Sequence, residues 1–256
     1  MNDSTQHHDT ETVPPLLVVT ATAREMRACL ASFADVAFPE EGQAIVQVLG
    51  GVSLVTAVSG VGPVNAALCC GRWLREYTPF GLCNLGVAGS FDLAQLGLAQ
   101  PCAITQECWP EIGLRTESGV DPRGLGLAQG KVHGQVYWNS LELNPTRACQ
   151  EMGLWLPPVD KAKSLSVAGV TGSAALAEYY RLHYGVHVEN MEGYALAWAA
   201  RCEGVSFLEL RTVSNRVGSR TAGDWALQEA LSALGPLTAS LFGHGALVQS
   251  VSGAQR

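Results

Sequence analysis

The chain has 256 residues, 47% of them hydrophobic and 15% charged, with 28 Gly and a formal net charge of −7. That much apolar chain can bury a large core, which excludes a disordered or coiled-coil protein. The 16 Lys and Arg are scattered without a basic run, so the pattern points to a small-molecule partner and away from nucleic acid.

The first 15 residues, "MNDSTQHHDTETVPP", are polar and have no apolar signal core. They read as a flexible leader, and His7 and His8 within it read as ordinary tail residues. No later apolar stretch is long enough for a membrane span, so a cytoplasmic protein with no membrane partner is expected. Eight Cys occur with no CxxC pair. They read as buried reduced thiols, not as a disulfide framework or a metal site.

"LLVVTA" (16–21) is a continuous β-branched run, as in a strand buried on both faces. "AREMRACLASFA" follows at helical spacing. "GQAIVQVLGGVSLVTAVSG" (42–60) reads as two strands around Gly50 and Gly51. "NAALCCGRWLREY" (65–77) reads as a helix, "GLCNLGVAGSF" (81–91) as a buried strand, and "QPCAITQECW" (100–109) as another strand. From 109 to 147 the pattern weakens. The Gly- and Pro-rich part to 130 reads as a long loop of the kind that binds or forms an interface. Beyond it come "SLSVAGVTGSAA" as strand and turn, "LAEYYRLHYG" as a helix, and "GVHVENMEG" as a strand feeding a helix from about 192. "SFLELRTVSNRVG" (206–218) reads as a strand and polar loop, and 224–248 as the closing helix region. Strands alternate with helices without a composition break. The expectation is one α/β domain over 16–248 around a parallel or mixed sheet, with a short tail at 249–256.

Sites in such sheets lie at the carboxyl ends of strands. Five strand ends carry unusual residues: "TATARE" (20–25), "SGVGPVNAA" (59–67), "NLGVAGS" (84–90), "ENMEG" (189–193) and "RTVSNRVG" (211–218). Each has a plain structural explanation. Glu25 and Glu192 can complement helix dipoles, the glycines can permit close packing, and Asn215 can be a turn residue. Together they fall where a site should form. They include no phosphate-cradling or dinucleotide glycine motif, no HExxH and no GxSxG. Two carboxylates, an amide and close-approach backbone turns can hold a neutral, hydroxyl-bearing ligand. They can also stabilise an oxocarbenium-like sugar centre, so glycosyl transfer fits the residue types.

These five segments, in this order, resemble the nucleoside phosphorylase/nucleosidase family that includes methylthioadenosine/S-adenosylhomocysteine nucleosidase. "VVTATAREM" resembles that enzyme's opening strand and catalytic-Glu helix. "SGVGPVNAA" and "NLGVAGS" match SGxGxxxAA and NxGxAG segments, "ENMEGYALA" a VEMEGxA-type signature, and "RTVSNRVG" the place of R-x-x-S-D. The resemblance implies a three-layer α/β/α, phosphorylase/hydrolase-like fold with a mixed central sheet, needing neither metal nor cofactor. It also implies a homo-oligomer in which a neighbour's loop closes the 5′ pocket, a part assigned here to 109–130. By position, Glu25 would direct the attacking water and Glu192 would accept hydrogen bonds from the ribose hydroxyls, with Met191 packed on the sugar. Val87, Ala88 and Gly89 would line the base pocket through backbone, with Trp225 stacked on the base. Ala21 and Ser214 complete the substrate-binding set.

The departures from the family pattern refine this. Asn215 stands where adenine-specific members carry Asp; an amide both donates and accepts, which suits a 6-oxopurine. Glu25 stands where the phosphorylases have a phosphate-binding GDPxR segment, and a carboxylate suits water over phosphate. The middle segment "EIGLRTESGVDP" (111–122) is similar to that of the futalosine-hydrolysing branch, whose reaction releases hypoxanthine in a menaquinone route. On that resemblance Arg115 or Arg123 would meet the carboxylate of the 5′ tail. Three competing readings are an adenine-specific nucleosidase, a 6-oxopurine phosphorylase and a catalytically silent nucleoside-binding module.

Overall fold

The structure is a computed structural model that describes residues 14–242. Most of the polar leader, His7 and His8 included, and the whole of the 249–256 tail lie outside the described residues.

In chain order the elements begin with β1 (Leu16–Thr20), α1 (Ala23–Cys29), β2 (Ala44–Leu49), β3 (Val52–Val58), α2 (Pro63–Tyr77), β4 (Gly81–Ser90) and β5 (Pro101–Cys108). Two short hairpins follow, β6 (Leu114–Thr116) with β7 (Gly119–Asp121) and β8 (Gly130–Val132) with β9 (Gln135–Tyr137). Then come β10 (Ser140–Glu142), α3 (Pro145–Met152), β11 (Asp160–Ser166), α4 (Ala174–Tyr184), β12 (Val188–Asn190), α5 (Gly193–Glu203), β13 (Ser206–Arg216) and α6 (Leu227–Phe242).

Nine strands form one mixed sheet. Its middle is parallel, with β1 between β3 and β4 and with β13 on β4. β2 closes one edge antiparallel to β3. On the other side β12 runs back antiparallel along the end of β4 and pairs with β11. β5 joins β11, β10 and β13. The apolar run of β1 is buried at all five positions, as expected of a strand covered on both faces.

The helices cover the two faces. Met26 of α1 and Leu30 just after it, Cys149 and Met152 of α3, and Leu231, Leu234 and Leu241 of α6 share one core. Cys70 and Trp73 of α2 and Leu196 and Ala200 of α5 share the opposite one. This is the three-layer α/β/α arrangement. Among the described residues no helix is long and apolar enough to cross a membrane. Seven of the eight cysteines are buried and Cys202 is exposed; all are free thiols.

The stretch 109–147 holds more order than its sequence suggests. The part to 130, read as a long loop, carries the β6–β7 hairpin, and beyond it come the β8–β9 hairpin, β10 and α3. The start of α3 has a readable signal: Asn144 accepts the Arg147 N–H at 3.0 Å and Pro145 occupies the first turn, an N-cap followed by a residue with no N–H to satisfy.

Candidate active site

A cleft of about 380 Å³ opens where β1, β4 and β13 end and β12 crosses back. Glu25, Glu192 and Asn215 all line it. So do Ala21, Val87, Ala88, Gly89, Met191, Ser214 and Trp225.

Glu25 arrives through a capping box. Thr22 Oγ1 accepts the Glu25 N–H at 3.2 Å, and Glu25 Oε2 accepts from the Thr22 N–H at 3.0 Å and its hydroxyl at 2.9 Å. The other oxygen, Oε1, accepts the Val87 N–H at 3.0 Å. A helix-start role and a site role therefore coexist in one side chain. Gly86 makes this approach possible, because a Cβ there would stand 2.7 Å from both Glu25 Oε1 and Arg211 Nη1.

Glu192 is the first non-helical residue before α5, yet its side chain makes no cap bond. Asn190 caps the helix instead: its Oδ1 accepts the N–H groups of Glu192 at 2.8 Å and Gly193 at 2.6 Å. The Glu192 carboxylate is thereby free to reach across and accept the Gly62 N–H at 2.8 Å. Gly62, at φ +93°, precedes Pro63 at the start of α2, so the carboxylate meets a buried backbone donor at a helix N-terminus. Burial pushes Glu192 above the usual carboxylate range, while Arg211 and the Gly62 N–H oppose the shift.

Asn215 sits at a β-bulge, where the β13–β4 register shifts between Val213 and Asn215. Such a bulge re-aims a side chain at a strand end. Its Oδ1 lies 2.8 Å from Ser214 Oγ, and its Nδ2 donates to Arg216 O at 3.1 Å.

Beneath the cleft lies a buried polar group. Arg211 Nε donates to Glu209 Oε1 at 2.8 Å, with both side chains shut off from solvent. Glu107 accepts from Ser166 Oγ and from Asn190 Nδ2, each at 2.7 Å. Burial, then the negative charge of Glu209, pushes Glu107 well above the usual carboxylate range. Glu209 is also pushed up by burial, against the pull of Arg211. Glu107 has no ion pair of its own among the described residues to offset its shift.

A phosphorylase superfamily model matches residues 15–236. The chain belongs to the phosphorylase superfamily. It is similar to a futalosine hydrolase of Thermus thermophilus, 32% identical over 73% of this chain and 80% of that one. A futalosine hydrolase of Acidothermus cellulolyticus is 32% identical over 85% of this chain and 86% of its own. Among solved structures, 5′-methylthioadenosine/S-adenosylhomocysteine nucleosidase from Neisseria meningitidis, in complex with methylthio-immucillin-A, superposes with a TM-score of 0.67. That match has 21% identity and covers 90% of this chain and 96% of the other.

On this superfamily frame one expected site residue falls elsewhere. Arg115 is exposed on β6 and does not line the cleft. Arg123 lies over the Trp138 ring, 5.3 Å from its centroid. The guanidinium groups that reach the cleft are those of Arg24, which donates to Gln228 Oε1 at 2.9 Å, and Arg220, which lies over the Trp225 ring. Trp225, 40% exposed, forms the outer rim.

Polar residues of the cleft or its floor missed from sequence include Thr171, Glu189, Asn190, Arg220 and Arg211. Arg211 had a signal. In "FLELR" charged residues alternate with buried leucines, and period-2 charge within a buried strand marks an ion pair on one face.

Proposed function

We propose that this chain hydrolyses the N-glycosidic bond of futalosine, releasing hypoxanthine and dehypoxanthine futalosine. The observation that carries the reading is the meeting of Glu25, Glu192 and Asn215 in one cleft, in a chain 32% identical to two futalosine hydrolases over most of their length.

Glu25 has an oxygen at the Val87 N–H, facing the floor that Arg211 shares. It orients a water and takes its proton as the oxygen attacks C1′. The C1′–N9 bond breaks, its electron pair leaves with the purine, which takes up a proton from solvent, and the new C1′–O bond gives the free sugar. Glu192, fixed by Gly62, accepts from the ribose 2′ and 3′ hydroxyls. Its negative charge also steadies the cationic sugar as the bond lengthens. Met191 packs on the sugar. The Asn215 amide serves N7 and O6 of hypoxanthine, and the base pocket is completed by the Val87–Gly89 backbone, Ala21, Ser214 and Trp225.

The same reading makes the protein a cytoplasmic homo-oligomer of the menaquinone route. In support, Val64 and Leu68 of α2 are 77% and 71% exposed beside the cleft residue Val61. An apolar stripe of this kind marks an association surface. Arg115, which does not line its own chain's cleft, would then serve a neighbour's 5′ pocket.

The test is chromatography of the base released from futalosine, inosine and methylthioadenosine, each with and without phosphate. Hypoxanthine from futalosine, indifferent to phosphate, is expected. Adenine from methylthioadenosine as the main product, or phosphate-dependent inosine cleavage, overturns the reading.

A further inference from the structure

We propose that Glu189 reads the N1 position of the departing purine, accepting the N1–H of hypoxanthine and disfavouring adenine, whose N1 is itself an acceptor. This rests on the function proposed above and names the residue that sets its base preference.

Glu189 is a carboxylate of the cleft wall that the hydrolytic step does not use. Its place in the sheet is specific. Glu189 of β12 pairs with Gly89 of β4, and Gly89 pairs on its other side with Asn215 of β13. The three residues form one row across the strands. The row spans two strand spacings, about 10 Å, which suits a purine hydrogen-bonded at both ends. Gly89, in the centre, has no side chain to block the base; a Cβ there would stand 2.8 Å from Val217 Cγ2 and 3.1 Å from Asn215 Nδ2.

The polarity of the far end is set by Thr171, which also lines the cleft. Glu189 Oε1 accepts the Thr171 N–H at 3.0 Å, and Oε2 accepts the Thr171 hydroxyl. Left alone, Thr171 would offer two donors to the base. With Glu189 over them, the wall offers acceptors instead, because each carboxylate oxygen keeps lone-pair capacity after one bond. Glu189 has no salt-bridge partner among the described residues. A buried carboxylate without a cation gains from a further donor, and a ring N–H supplies one. Adenine brings a lone pair to the same point, where it faces the carboxylate lone pairs with no proton between them.

The experiment is calorimetric titration of free hypoxanthine and free adenine into wild-type protein and the Glu189→Gln variant, with melting curves for both. The amide keeps the shape and the Thr171 bond but can donate to N1. Hypoxanthine affinity is expected to fall on the order of tenfold while adenine affinity holds or rises. Equal changes for the two bases would mean Glu189 only braces the 167–171 turn, and would overturn the proposal. If the variant does not fold, wild-type protein decides with 1-methylhypoxanthine. Binding at least tenfold weaker than hypoxanthine supports the proposal, and equal binding overturns it. Wild-type protein that releases no hypoxanthine from futalosine rejects the proposed function. The ratio of free-base affinities still reads Glu189 by itself.

Discussion

Two pairs of buried glutamates are held in different ways. Glu25 and Glu192 face the cleft. Each is fixed by a backbone N–H from a distant segment, Val87 and Gly62. Glu107 and Glu209 face inward and are held by side chains: Ser166, Asn190 and Arg211. Backbone donors fix a carboxylate while leaving lone pairs open to a ligand. Side-chain partners close the inner pair into a strut. The two pairs are joined, since Asn190 links Glu107 to the helix start that aims Glu192, and Arg211 underlies both sets. Residue type alone does not separate catalysis from support here; the source of the hydrogen bonds does.

This contrast predicts unequal consequences for conservative changes. Glu25→Gln keeps its acceptor for the Val87 N–H but loses the base. Steady-state assays should show kcat on the order of 10²–10⁴-fold lower with a modest fall in Tm, because the amide nitrogen cannot accept the Thr22 N–H; a kcat loss below tenfold would remove Glu25 from the chemistry. Arg211→Met leaves Glu209 buried and uncompensated. Denaturant unfolding should register a loss of about 3–5 kcal/mol, and a neutral result would mean the strut is not closed. Gly193→Ala places a Cβ against both inner carboxylates and should destabilise by about 1–3 kcal/mol, again by unfolding.

Glu107→Gln should be the mildest. The folded-state proton affinity of Glu107 is raised. Its contribution to stability is therefore complete below the ordinary carboxylate range and is lost as pH rises toward its folded value. The wild-type Tm should fall across that window, and the variant, which cannot ionise, should show a flatter profile. Parallel profiles would place the proton elsewhere. Glu192 of the cleft titrates in the same sense. Burial raises Glu192, and the diol needs its ionised form. The acid limb of kcat/KM should therefore lie above the ordinary carboxylate range, and a limb within that range would contradict the placement of Glu192.

Much of the fold is legible in the sequence because the strands are continuous apolar runs. "LLVVT" and "GLCNLGVAGS" became β1 and β4 almost to the residue. Glu25, Glu192 and Asn215 stand out as polar residues at strand ends. Their partners do not, because Val87 and Gly62 act through backbone N–H groups 62 and 130 positions away. Glu189 was hidden by its neighbours: in "ENMEG" the eye rests on Glu192, while the importance of Glu189 comes from a cross-strand row no local pattern shows. In 109–147, α3 and β10 were obscured because their segments are short and only partly buried, so periodicity has little length in which to appear.

The most direct measurement is hypoxanthine release from futalosine, without phosphate, by wild-type protein and by Glu192→Gln matched for Tm. The account predicts steady release by the wild type and a loss on the order of 10²-fold or more in the variant. Near-equal release by the two proteins would contradict the claim that this cleft, with Glu192 on the sugar diol, is where the bond is broken.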